Sequence, residues 1–156
     1  MNIPTPDSEQ GSAATTRKAS CRCGKLSVTY TGPDPERITL CHCNSCQSRT
    51  GTVFSVQARF PRAKAKITGT STTWAVPSDG EKQACDSGGA TYHFCPVCGS
   101  TLYWDIATAP DLIGIAIGTL TDPKFPPPKI SGFESYGHPW AMKPADLPIQ
   151  RLQLAE

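Results

Sequence analysis

No apolar stretch in this sequence approaches the length of a membrane span. The longest run, Leu112 to Ile117, is broken by Gly114. A spanning helix needs about 20 consecutive apolar residues, so no membrane partner is expected. The first twenty residues, MNIPTPDSEQGSAATTRKAS, hold no apolar core of the kind a secretory signal requires. A cytoplasmic location is therefore expected, where thiols stay reduced. Charge of one sign is also missing. Lys and Arg total 15 against 13 Asp and Glu, a net charge of +2, too balanced to indicate nucleic acid. The one basic stretch, Arg59, Arg62, Lys64 and Lys66, reads as a solvated strand edge. Long segments with a 3.6-residue apolar period are absent too, so helix is expected to be minor.

What the chain does have is a series of short β segments between turn residues. The spacing predicts strands over Lys25–Thr31, Arg37–Leu40, Thr52–Phe60, Lys66–Thr68, Thr72–Val76, Ala90–Phe94, Ser100–Asp105 and Leu112–Ile117. In Thr52–Phe60 the residues Phe54, Val56, Ala58 and Phe60 share one face. Strands this short and regular predict an antiparallel sandwich or tent, mainly β with little helix. Residues 1–19 are rich in Ser, Thr, Pro and Gln and read as a disordered tail. Residues 20–143 read as one zinc domain and 144–156 as a C-terminal extension. Asp122-Pro123 and Pro126-Pro127-Pro128 argue against regular structure after Thr119. That stretch is expected to lie extended over the core, anchored by His138-Pro139-Trp140 and Leu147.

Cysteine is plentiful: 8 residues in a chain of 156. At that length folding hides roughly 68–70% of the unfolded surface, so disulfide staples are not needed. Seven of the cysteines form three groups: Cys21 and Cys23; Cys41, Cys43 and Cys46; Cys95 and Cys98. Soft thiolates select Zn²⁺ or an iron–sulfur cluster, and the irregular spacing favours zinc over a cluster. A redox reading of Cys95-Pro-Val-Cys98 lacks a βαβ context. The two outer pairs together supply four ligands, as a closed tetrahedral site requires. The middle group supplies three and leaves one position open. A zinc ribbon built from Cys43, Cys46, Cys95 and Cys98 is the alternative, but its ligand pairs would be much further apart than the usual 15–20 residues. The glycines after Cys23 and Cys98 suit a metal knuckle, which needs tight turns with positive φ.

These motifs resemble the glutathione-dependent formaldehyde-activating enzyme family, which also contains centromere protein V. They read Cys21-Arg-Cys23-Gly24, Cys41-His42-Cys43-Asn-Ser-Cys46 with Gly51, and Phe94-Cys95-Pro-Val-Cys98-Gly99-Ser100-Thr-Leu102-Tyr103-Trp104. The resemblance implies a β-tent-like fold with two zinc ions. Cys21, Cys23, Cys95 and Cys98 would hold a structural one, and Cys41, Cys43 and Cys46 an open one. It also implies glutathione or a similar thiol and formaldehyde or a similar aldehyde as small-molecule partners. Family members often place a basic residue directly after the third cysteine of the middle group. Here Gln47 stands there and the first cation is Arg49, the candidate substrate-binding residue.

Other conspicuous residues have plainer expectations. His42 lies between two ligands, and a chain held at both neighbours turns the intervening side chain away from the metal. Cys85 has no partner group and reads as a loop thiol. His93 reads as packed or hydrogen-bonded; Phe54, Tyr103 and Trp104 read as core or cleft walls. Zinc held by three thiolates carries a formal charge of −1 and is a poor activator of water. A thiol taken as fourth ligand would instead be deprotonated and would add to an aldehyde carbonyl, a carbon–sulfur lyase reaction in reverse. The rival expectation is a non-catalytic zinc module for protein or small-ligand contact.

Overall fold

The computed structural model describes residues 14–75 and 89–141, and the backbone of 150–152. Among these residues eleven strands form two sheets. β1 (Thr15–Ser20), β2 (Ser27–Gly32) and β5 (Ala65–Thr68) make a three-stranded antiparallel sheet in the order β1-β2-β5. The larger sheet contains β3 (Ile38–Cys41), β4 (Ser55–Pro61), β6 (Thr72–Ala75), β7 (Ala90–Phe94), β8 (Thr101–Ile106), β9 (Leu112–Ala116), β10 (Ile130–Gly132) and β11 (Gln150–Leu152). Its order is β11-β10-β3-β4-β9-β8-β7-β6. One helix, α1 (Asn44–Thr50), interrupts the path from β3 to β4.

Apolar side chains from both sheets meet between them. Val28 and Tyr30 of β2 pack with Phe60 of β4, Leu102 of β8 and Ile113 of β9, all fully buried. The Tyr30 and Phe60 rings lie 4.8 Å apart. Burial of each such side chain is worth about 1.5–3 kcal/mol. On β4 Ala58 and Phe60 of the face read from the sequence are fully buried, whereas Val56 is only half-buried and Ser55, on the other face, is buried.

The fold is mainly β and largely antiparallel, as expected, with three corrections. First, the tail expected over 1–19 is not structureless throughout. Thr15–Ser20 pairs with Ser27–Gly32 along its whole length. Arg17 explains why so polar a segment is ordered. Its side chain is 10% exposed and forms ion pairs with Asp34 at 2.7 Å and with Asp122, while Ala19 beside it is fully buried. Second, the stretch after Thr119 is not wholly irregular. Ile130–Gly132 pairs in parallel with Thr39–Cys41, and also in parallel with Gln150–Leu152. Three residues suffice because β3 offers an otherwise unpaired edge. Third, Trp140 is no packing anchor among the described residues: it is 72% exposed, and its ring lies beside that of His138, at 5.2 Å. Leu147 and Cys85 lie outside the described residues.

Candidate metal centres and the cleft between them

The first four-cysteine group is built by two turns at one end of the molecule. Cys21 ends the path of β1, and the chain folds back at once, with the Gly24 amide donating to the Cys21 carbonyl at 3.0 Å. The Leu26 amide donates to Cys21 Sγ at 3.2 Å. Between β7 and β8 the second turn repeats the arrangement, the Gly99 amide donating to the Cys95 carbonyl at 2.9 Å. Gly24 and Gly99 have φ of 77° and 70°, and a β-carbon at either would meet nothing within 4 Å. Glycine is required there by backbone conformation, not by space. The turns bring Cys21 Sγ within 3.6 Å of Cys23 Sγ, and Cys23 Sγ within 3.6 Å of Cys95 Sγ. Cys98 completes the group, all four sulfurs lying within 4.8 Å of one another.

The second group gathers Cys41, Cys43 and Cys46 at the junction of β3 and α1. Cys41 is the last residue of β3, and Cys43 is the N-cap of α1, its Sγ accepting the Cys46 amide at 3.3 Å. Cys41 Sγ and Cys43 Sγ are 3.4 Å apart. Gly51 closes the helix at φ 66°, so the glycine of the motif is a left-handed helix stop. The helix was not placed from the sequence. Its signals, a capping residue at 43 and a glycine at 51, bound too short a stretch to show an apolar period.

Both groups fit zinc. Bonds of about 2.3 Å in a tetrahedron put sulfurs about 3.8 Å apart, close to the 3.4–3.6 Å found here. None of the seven thiols is in a disulfide. Proton sharing within the second group is uneven. Hydrogen bonds from Cys41 and Cys43, helped by the nearby positive charge of Arg49, hold Cys46 at about 3. Cys43 favours the thiolate of Cys41, but the neighbouring Cys46 and burial outweigh that and push Cys41 up to about 12. In the first group the Ser100 hydroxyl and amide lower Cys98 to about 5. His42 is buried between its ligand neighbours, edge-on to Phe54 at 6.0 Å, and does not join the sulfurs.

A strap of chain crosses the second group. The His42 amide donates to the Gly132 carbonyl, and Phe133, with a left-handed φ of 59°, packs on the three cysteines. A bulky residue in that region stores strain. Gln47 fastens the strap, its Nε2 donating to the His42 and Tyr136 carbonyls and its Oε1 lying 3.2 Å from His138 Nε2. Neither Phe133 nor the role of Gln47 was visible from residue spacing, because both arise from contacts across more than 80 positions.

Between α1 and the sheet edge lies a cleft of about 560 Å³, lined by Ser45, Ser48 and Arg49 of the helix and by Trp74, Tyr92, Phe94, Gly99 and Thr101. Arg49 is held there, its Nη2 donating to Ser55 Oγ at 3.0 Å. Its guanidinium carbon sits 4.9 Å from the Tyr92 ring centre and 5.0 Å from that of Trp104. His93 does not line the cleft. Its ring lies between Ser71 Oγ at 2.9 Å and Asp105 Oδ2 at 3.0 Å and stacks on Tyr103, so the hydrogen-bonded role expected for it is what the structure shows. Tyr103 and Trp104 are buried; Tyr103 belongs to the core and Trp104 backs the cleft.

No helix among the described residues is long and apolar enough to cross a membrane. No curated protein matches the chain. A crystal structure of a Rhodobacter sphaeroides protein, a structural-genomics target, is similar at 18% identity over 69% of this chain and 92% of that one, with a TM-score of 0.46. The model of the glutathione-dependent formaldehyde-activating enzyme family matches residues 16–136. That span begins on β1 and takes in both cysteine groups, the cleft and most of the strap, and the chain belongs to this family.

Proposed function

We propose that the chain joins a thiol to formaldehyde or another small aldehyde, or runs the reverse carbon–sulfur cleavage, at the Cys41, Cys43 and Cys46 group. The other four cysteines would hold a structural zinc. One observation carries this reading. The second group brings together three sulfurs and, among the described residues, no fourth ligand, the arrangement of a reactive site, whereas the first brings four.

Zinc bound by the three sulfurs would supply a soft fourth position at which a thiol loses its proton and stays nucleophilic. The sulfur lone pair forms a bond to the carbonyl carbon, the C=O π pair moves to oxygen, and the oxygen takes up one proton in place of the one the thiol released. The product is a hemithioacetal, with no oxidant or reductant consumed. The chain's own residues set the stage. Cys43 caps α1 and so fixes the direction of Cys46. Arg49, one turn further on, brings positive charge toward a site whose formal charge would be −1. It would also meet an anionic substrate group. Phe133 packs on the sulfurs, on the strap that Gln47 fastens.

Cobalt substitution tests the reading. Its ligand-field bands should shift when a thiol such as glutathione or 2-mercaptoethanol is added, and shift again with formaldehyde as the sulfur becomes alkylated. Cys46→Ser should abolish both responses. A spectrum indifferent to every small thiol would leave a non-catalytic zinc module.

A further inference from the structure

The cleft beside the three-cysteine group has a chemistry of its own. Its walls are aromatic: Trp74 stacks on Tyr92 with centroids 6.1 Å apart and planes 17° from parallel, and Phe94 continues the surface. Trp74 is 54% exposed on β6, the edge strand of the large sheet. A large indole left half in water beside two further rings offers a flat platform for a ligand. The volume of about 560 Å³ lies within the range of small-molecule sites.

The charge lining is one-sided. Arg49 is the cation, and no carboxylate lines the cleft among the described residues. The Arg49 side chain forms no salt bridge with an Asp or Glu among the described residues; the negative charge nearest to it is the Cys46 thiolate that it favours. Two of its nitrogens, Nε and Nη1, are buried without a hydrogen-bond partner. The guanidinium as a whole is half-buried and lines the cleft, and a planar oxyanion is the group that its fork of donors matches. The rings of Tyr92 and Trp104 hold its charge from behind but accept no conventional hydrogen bond. The hydroxyls of Ser45, Ser48 and Thr101 complete the polar part. They serve neutral or anionic ligand groups and give an ammonium no counter-charge.

We propose that this cleft selects ligands with a flat apolar body and a single anionic group, and discriminates against zwitterionic peptides such as glutathione. This deepens the thiol-addition reading and rests on it for the reaction, since the selected ligand would be the thiol or aldehyde that reacts at the three cysteines. Glutathione carries two carboxylates and an ammonium. One carboxylate would find Arg49, while the other and the ammonium would lose water with no opposite charge to meet among the described lining residues.

The selectivity is measured with probes that carry neither thiol nor aldehyde. On the zinc-loaded full chain, 2-naphthoate, 2-naphthylmethylammonium and S-methylglutathione are titrated by calorimetry. Naphthoate should bind at least about tenfold tighter than the other two. Arg49→Gln should erase its advantage over the ammonium probe. Trp74→Ala, a change at an exposed position that leaves the fold intact, should weaken naphthoate by about tenfold. Equal binding of S-methylglutathione, no binding of naphthoate, or naphthoate binding indifferent to Trp74→Ala would overturn the proposal. Because no probe carries a thiol or an aldehyde, naphthoate selectivity in a protein whose cobalt spectrum ignores thiols would retain the cleft and remove the reaction.

Discussion

The indole of Trp104 covers the backbone of Gly114, its cross-strand partner on β9. A β-carbon at position 114 would stand 2.6 Å from Trp104 Cζ2 and closer still to the neighbouring ring atoms. Trp104 can therefore lie low in the sheet and back the guanidinium of Arg49. The glycine has an ordinary backbone conformation; what it supplies is room. Gly114→Ala should force the indole up, at a cost of about 1–3 kcal/mol. The melting midpoint should fall by several degrees and the near-ultraviolet circular dichroism of tryptophan should change. An unaltered near-ultraviolet spectrum would show that the ring does not depend on this contact.

Metal content separates the two cysteine groups. The protein purified under reducing conditions should carry two zinc ions per chain by elemental analysis. Structural zinc contributes about 10–16 kcal/mol of apparent binding free energy in finger peptides, as much as a whole domain's stability. Cys98→Ser should therefore abolish soluble expression or unfold the protein, whereas Cys46→Ser should lose one zinc and remain folded. Equal damage in thermal melts would defeat the division into structural and open sites.

The uneven proton sharing at the second group predicts the pH dependence of its metal affinity. Cys46, held at about 3, is already a thiolate at neutral pH and contributes no slope there. Cys41, pushed up to about 12, keeps its proton, and the metal must displace it. Apparent affinity should thus rise with pH by about tenfold per unit for each proton displaced. Competition against a chelator of known pH dependence between pH 6 and 8 measures it. A flat profile would mean that Cys41 is not protonated in the metal-free protein.

Arg17 should be worth more than its place in a polar leading segment suggests. It joins Asp34 on the β2–β3 connection to Asp122 beyond β9, and its guanidinium covers the ring of Phe125 at 5.3 Å. Arg17→Met keeps the stem and removes the ion pairs, leaving two partly buried carboxylates unanswered. Chemical denaturation should show a loss of about 1–3 kcal/mol. A loss below about 0.5 kcal/mol would place the pair with ordinary surface salt bridges.

The sequence by itself determined what lies within short reach along the chain. Period-2 alternation located β2 to β9 to within a few residues, since turn residues and a buried face act locally. The seven cysteines and their partition into four and three were legible because thiols clustered at short spacings are a local signal of metal binding, and each knuckle announces itself by a glycine whose positive φ no other residue adopts cheaply. Tertiary structure decided the rest. β1 is ordered by two aspartates 17 and 105 positions away, which no local pattern can report. β10 exists because β3 has a free edge, and among the described residues Trp140 is left exposed. Arg49 was visible as a cation near the thiols, but its aromatic backing comes from strands more than 40 residues distant. The cleft is a property of that assembly. A cavity's shape and charge are sums over side chains brought together by the fold, so they have no counterpart in any single stretch of sequence.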